Sequence, residues 1–295
     1  IKDSINVLES ENKIFNLPYT FKISKKKDEK KILSKLNINF FKLQIENNLD
    51  YNNGIKKGYA DFTFNKSKSN MIYQLSKDNL LLNFFEKNNK SNFSYNGTIN
   101  FRPFYSILKG STIEIDLFTL LNSNNLILEL LKTEILNNKN LNFNLNIFAN
   151  KIKNYHDFVD FILISKIEEG LIDIDDTKFS WKNITDFKVK ESLIYVKNNE
   201  LVLDGKLNIS IKNSDAIFQF LLTPKRYRTN LKKIDLDFVY NFDQNILNLN
   251  NIRIDKNQTK NIDKILNNLI FKANKLQNKV YLKSKFNKAL KAYAG

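Results

Sequence analysis

Apolar and polar residues alternate with a period of two along most of this chain, the mark of strands that bury one face and wet the other. In Leu141-Asn-Phe-Asn-Leu-Asn-Ile147 every odd position is apolar, and Asn142, Asn144 and Asn146 occupy the other face. Tyr95, Gly97, Ile99 and Phe101 are set in the same way against Ser94, Asn96, Thr98 and Asn100. The pattern returns in Leu201, Leu203, Gly205, Leu207, Ile209 and Ile211, and again in Ile234, Leu236, Phe238, Tyr240 and Phe242, with Val239 as the exception. Long strands with one wet side belong to antiparallel sheets. Four of the seven glycines, Gly58, Gly97, Gly170 and Gly205, open a Gly-x-apolar-x-apolar unit, which suits a bend or bulge where a strand begins. The pattern predicts a loosely repeating meander.

Helical spacing is concentrated in two places. Over 116–138, Leu117, Leu120, Leu121, Leu128, Leu131 and Ile135 fall on one face, with Ser123-Asn-Asn125 as an interruption. Near the C-terminus, Ile262, Ile265, Leu266, Leu269, Ile270, Ala273, Leu276 and Val280 form a stripe at about 100° per residue. Beyond Lys283 the register changes to Leu282, Phe286, Ala289, Leu290 and Tyr293, so a kink or two consecutive helices are expected. The predicted organisation is a β-groove domain over 1–258 with a helical insertion around 116–138, followed by a basic amphipathic helix over 259–295.

With 295 residues, 42% hydrophobic and 26% charged, the chain can bury a substantial core. Its net charge of +16 comes mostly from lysine, since only Arg102, Arg226, Arg228 and Arg253 are arginine. The chain also holds 47 asparagines, and a joint surplus of Asn, Lys and Ile is what an AT-rich genome writes into any surface. The charge is therefore weak support for a nucleic-acid partner, and none is expected. Residues 259–295 nevertheless carry nine lysines against the single acid Asp263, half of the net charge. Lys264, Lys272, Lys275 and Lys279 lie opposite the first apolar stripe. Such a helix can rest on an anionic membrane surface or pack on its own domain with a solvated basic back; packing is the default.

Catalytic chemistry has little to work with. The absence of cysteine excludes disulfides, thiolate nucleophiles and Cys-ligated zinc, and His156 is the only histidine. Asp157 beside it does not make a catalytic pair, and a surface or capping role is expected. Asp173 and Asp175 alternate with Ile172 and Ile174 on a wet strand face with Asp176 in a turn, and the segment lacks the glycine and distal glutamate of a calcium loop. Lys109-Gly-Ser-Thr112 has the wrong order for a phosphate loop and reads as a turn. Trp181 reads as a strand-face anchor, and Pro224-Lys-Arg-Tyr-Arg-Thr229 as a polar connection rather than a single-strand contact. No enzyme activity, cofactor or metal site is assigned.

Many one-sided strands create a large apolar face that must be hidden. A sandwich hides it sheet on sheet, a membrane barrel in lipid, and a curled trough around acyl chains. The Lys-rich helical end and the mid-chain helical stretch disfavour a barrel. Strands longer than about five or six residues disfavour a simple sandwich. The fold class expected is mainly β, an elongated, curled antiparallel sheet forming an apolar groove, with a mid-chain helical segment and a C-terminal amphipathic helix.

Residues 164–254 resemble the C-terminal region of AsmA-like proteins, relatives of the TamB-type proteins of diderm bacteria. The resemblance rests on Glu169-Gly-Leu-Ile-Asp-Ile174, Leu203-Asp-Gly-Lys-Leu-Asn-Ile209, and Ala216-Ile-Phe-Gln-Phe220 leading into Arg226-Tyr-Arg228. Ile234-Asp-Leu-Asp-Phe-Val-Tyr-Asn-Phe242 and Leu249-Asn-Asn-Ile-Arg-Ile254 complete it. It implies a periplasmic protein anchored to the inner membrane, with a lipid-lined β groove, working in phospholipid movement or outer-membrane assembly. The chain opens at Ile1, so the anchoring helix is expected upstream. The family offers no catalytic residues to carry over.

The function expected is a non-enzymatic lipid-binding or lipid-transport module. Its groove is expected to be lined by Leu203, Leu207, Ile209, Phe218, Phe220, Leu236, Phe238 and Tyr240, with phospholipid, a membrane surface and envelope proteins as partners. The alternative is a structural β domain whose apolar face is self-packed and which serves as a scaffold for envelope proteins.

Overall fold

The computed structural model describes residues 5–14, 17–26, 30–51, 56–64, 67–86, 94–117, 126–255, 270–272 and 278–293. The chain is mainly β, with 65% of residues in strands and a few short helices. It divides into two compact units, Ile1–Ile113 with Asn138–Ile147, and Glu114–Asn137 with Phe148–Gly295.

The first unit is an antiparallel meander in which each strand pairs with the next. Its strands are β1 (Ile5–Ile14), β2 (Leu17–Lys26), β3 (Lys31–Ile38), β4 (Leu43–Asp50) and β5 (Lys56–Phe64). They continue through β6 (Ser67–Leu75), β7 (Asn79–Glu86), β8 (Ser94–Phe101) and β9 (Phe104–Ile115), where the division between units falls. Cross-strand partners share a face, so the register sorts the side chains. One face carries the charged row Glu9, Lys22, Lys35, Glu46 and Asp61. Within it Glu9 and Lys22 lie 3.3 Å apart and Lys35 and Glu46 3.0 Å apart. These pairs are exposed and contribute below about 1 kcal/mol each; their main effect is to fix which face is wet. Lys109-Gly-Ser-Thr112 lies within β9 and is not a turn, because the alternation of Ile107, Lys109, Ser111 and Ile113 against Leu108, Gly110 and Thr112 continues through it.

The second unit contains α1 (Leu126–Lys132), within the predicted helical insertion whose residues 118–125 lie outside the described residues. After β10 (Phe143–Ile152), in which the units again divide, come β11 (Tyr155–Glu168), β12 (Leu171–Asp173), β13 (Lys178–Trp181), β14 (Thr185–Lys197) and β15 (Glu200–Ile211). Next are α2 (Ser214–Leu221), β16 (Lys233–Asn241), β17 (Ile246–Ile254), β18 (Ile270–Lys272) and α3 (Lys279–Tyr293). The predicted helix over 259–295 is therefore interrupted: 270–272 form a strand paired antiparallel with β17, and only the second stripe is a described helix.

Register breaks bend the strands of this unit. At one, between Lys190 and Leu193 of β14, Glu191 takes a positive φ of 47° and Ser192 turns inward. Asp175 pins it, accepting the Ser192 N–H at 2.7 Å and its hydroxyl at 2.6 Å, while the Ser192 hydroxyl oxygen accepts the Ile174 N–H at 2.9 Å. Gly205 on β15 makes room, since a Cβ there would lie 3.0 Å from that of Ser192. The acidic cluster thus acts locally: Asp175 holds a bulge, and Asp176 pairs with Lys188 at 2.6 Å.

α1 buries Leu128 and Leu131 and packs on β14 and β15. Its last residue, Lys132, donates to Asp243 in the turn between β16 and β17, and Asp243 also accepts the Leu201 N–H at 2.7 Å. Burial alone would raise the Asp243 carboxyl, but these hydrogen bonds and the Lys132 charge outweigh it and hold the pKa below the usual carboxylate range. Asp243→Ala is expected to lower the unfolding free energy by about 1–3 kcal/mol, read by urea denaturation. A carboxyl whose pKa is depressed in the folded state stabilises above its unfolded pKa of about 3.9 and loses that contribution as pH falls through the folded value. The gap between wild type and variant should therefore be full at neutral pH and close below about pH 4.

Candidate functional site

Six of the eight residues expected to line a groove share one face of the second unit. The register places Leu203 opposite Tyr240, Leu207 opposite Leu236, and Ile209 on the same side, with Phe238 opposite Gly205. The face is not open. Leu203, Leu236 and Tyr240 are buried, and Leu207, Ile209 and Phe238 pack on a core completed by Phe218 and Leu221 of α2 and by Ala289 and Leu290 of α3.

Phe218 and Phe220 are not on a strand. Their alternation fits a strand, but Asn213 caps a helix there by accepting the Ala216 N–H at 3.0 Å, and Ile217, Phe218 and Leu221 give it an apolar side. Phe218 is 2% exposed and points into the core. Phe220, 39% exposed, sits edge-on to Trp181 at 4.6 Å between ring centres, with the Lys283 ammonium 4.1 Å from its centre. Trp181 also stacks on Phe158, so it is a strand-face anchor.

Lys264 and Lys275 lie outside the described residues; Lys272 lies on β18 and Lys279 begins α3. His156 lies at the surface, its Nδ1 3.6 Å from a Glu114 carboxylate oxygen. The basic connection after Pro224 forms a 3-10 turn over Lys225–Tyr227, with the Arg228 Nε donating to the Thr223 carbonyl at 2.9 Å.

The first unit has an apolar face of a different kind. Three rows run across its strands: Ala60, Met71, Phe84 and Tyr95; Leu49, Gly58, Tyr73, Leu82 and Leu108; and Leu75, Leu80 and Ile99. The core cluster there contains Ala60, Tyr73 and Leu82, and the described residues packed on it come from β4–β9. Phe62, Phe84 and Tyr95 follow one another along the wall with ring centres 5.6 and 6.1 Å apart, each half-buried. This face is buried at Ala60, Tyr73 and Leu82 and partly exposed around them, and among the described residues no helix covers it.

Glycine shapes this wall. A Cβ at Gly58 would fall 1.9 Å from the Tyr73 ring, so that ring lies flat across β5. This lets the Tyr73 hydroxyl reach Asn47 on β4, donating to its Oδ1 at 2.6 Å, and the Asn47 amide donates on to Ser34 at 3.1 Å. Burial raises the Tyr73 phenol above its usual pKa, partly offset by that bond, so it stays a neutral donor. Tyr73, Asn47 and Ser34 thus satisfy one another, while the buried Ser106 hydroxyl, opposite Ile99 on the same face, makes no hydrogen bond. Leu108 lies over Gly97 in the same way.

The Gly-x-apolar-x-apolar pattern at Gly58 and Gly97 signals this face in the sequence, although the expectation centred on 203–240. The side chains that lie down over those glycines carry no sequence signal, since they come from neighbouring strands.

The fold and these two faces define a β protein with one apolar sheet face covered by helices and another that, among the described residues, is lined by strands alone. No protein-family profile matches the chain, and no curated protein or solved structure is significantly similar to it.

Proposed function

We propose that the chain is a non-enzymatic lipid-binding module whose first unit holds acyl chains along its apolar face. The observation that carries this reading is the contrast between the units: the second covers its apolar face with α2 and α3, whereas the first, among the described residues, has Phe62, Met71, Phe84 and Ile99 half-buried on a wall many strands wide with no helix over it. Acyl chains suit such a wall because dispersion and the hydrophobic effect need shape and area, not polar partners. The resemblance of residues 164–254 to AsmA-like proteins points to the periplasm, to an upstream inner-membrane anchor and to phospholipid movement or outer-membrane assembly. Native mass spectrometry of the purified chain should detect bound phospholipid. Apoprotein that takes up no fluorescent phospholipid would overturn the reading.

A second reading, a structural scaffold for envelope proteins, is favoured by the packed core around Phe218 and Leu236. It predicts a stable fold with no lipid at either unit.

A further inference from the structure

Leu222, which ends α2, combines two features that cost stability. Its φ of 58° is left-handed, where glycine is favoured, and its side chain is 77% exposed. No hydrogen bond needs a leucine there: the cap is made by its backbone N–H to Gln219 O and by the Thr223 N–H to Phe218 O at 2.9 Å.

Its surroundings are basic. Lys225 and Arg226 follow in the 3-10 turn, and α3 lies alongside, with the Asn287 amide donating to the Leu221 carbonyl at 3.1 Å. Lys291 of α3 lies 5.9 Å from the Tyr227 ring and Lys283 reaches Phe220. α3 carries no acidic residue, and Asp215 is the only one in α2. Exposed apolar groups stud the same helices: Phe220, Val280 at 77% and Phe286 at 40%. The inner side of α3 is spent on the core through Ala289 and Leu290, so packing and a basic outer surface coexist.

We infer that the end of α2, the following turn and α3 form a docking surface for an anionic phospholipid bilayer, with Leu222 as its inserted apolar tip. Cationic side chains around exposed apolar ones match a membrane interface, where the charges meet head groups and the apolar tips enter the acyl boundary. A basic surface for a soluble polyanion needs no protruding leucine in a left-handed cap. This contact is separate from acyl-chain binding by the first unit, and the two can fail independently.

The test is sedimentation of the full chain with phosphatidylcholine vesicles, with and without phosphatidylglycerol. The chain is expected to bind only the anionic vesicles, and added salt should weaken binding. Leu222→Gly relieves the left-handed strain and is expected to raise or preserve the melting temperature, yet to weaken vesicle binding about tenfold. Arg226→Glu combined with Lys291→Glu should abolish binding with the fold retained. Equal binding by wild type and Leu222→Gly, binding indifferent to phosphatidylglycerol, or no vesicle binding at all would overturn the inference. Preference for a single-stranded oligonucleotide over anionic vesicles would do so as well.

Discussion

Phe218→Ala is expected to destabilise the second unit by about 3–5 kcal/mol, among the largest effects of any single truncation in the chain. Phe218 is 2% exposed and packs in a cluster with Leu221, Leu231, Leu236 and Leu249. Removing the ring leaves a cavity walled by two helices and a sheet, which cannot collapse without moving all three. The melting temperature should fall on the order of 10 °C. Leu236→Asp goes further, because a carboxylate at a position 4% exposed has no partner, and the unit should fail to fold. A loss below about 1 kcal/mol for Phe218→Ala would mean that this face is loose enough to accommodate a ligand.

Phe84→Asp is expected to do the reverse: keep the fold and empty the first unit of lipid. Phe84 is half-buried, between Phe62 and Tyr95, so a carboxylate there can reach water in the unliganded protein and should cost about 1–2 kcal/mol of stability. An acyl chain on the same wall would have to desolvate that charge, at a cost well above what one chain segment gains there. Recovered phospholipid should fall at least tenfold, with the circular dichroism spectrum unchanged. Unfolding of the first unit by this substitution would instead mark the wall as a closed core.

The strand pattern was legible because a period of two and a single wet face leave little choice of architecture. Leu203, Leu207, Ile209, Leu236, Phe238 and Tyr240 do share a face, as their alternation required. Whether that face is open depends on what covers it: α3, which the second apolar stripe marks as a helix, and α2, which the alternation disguises. Ala216 to Phe220 alternates like a strand, and only the Asn213 cap and the apolar spacing of Ile217, Phe218 and Leu221 reveal the helix. Near residue 270 the opposite occurs, where Ile270 of the helical stripe, with Phe271 and Lys272, pairs with β17 through backbone hydrogen bonds that the stripe does not encode. The bulge at Glu191 was equally hidden, since Asp175, which holds it, is distant in sequence from Ser192. On the first-unit wall, the glycine pattern marked where neighbours approach, while Tyr73 and Leu108 as the covering groups became evident only from the register.

Site-specific photocrosslinking reads lipid binding most directly. With benzoylphenylalanine placed at Phe84 in one version of the purified full chain and at Phe238 in another, illumination should yield phospholipid adducts at 84 and protein-internal adducts alone at 238. Adducts at 238 with none at 84, or none at either position, would contradict lipid binding by the first unit.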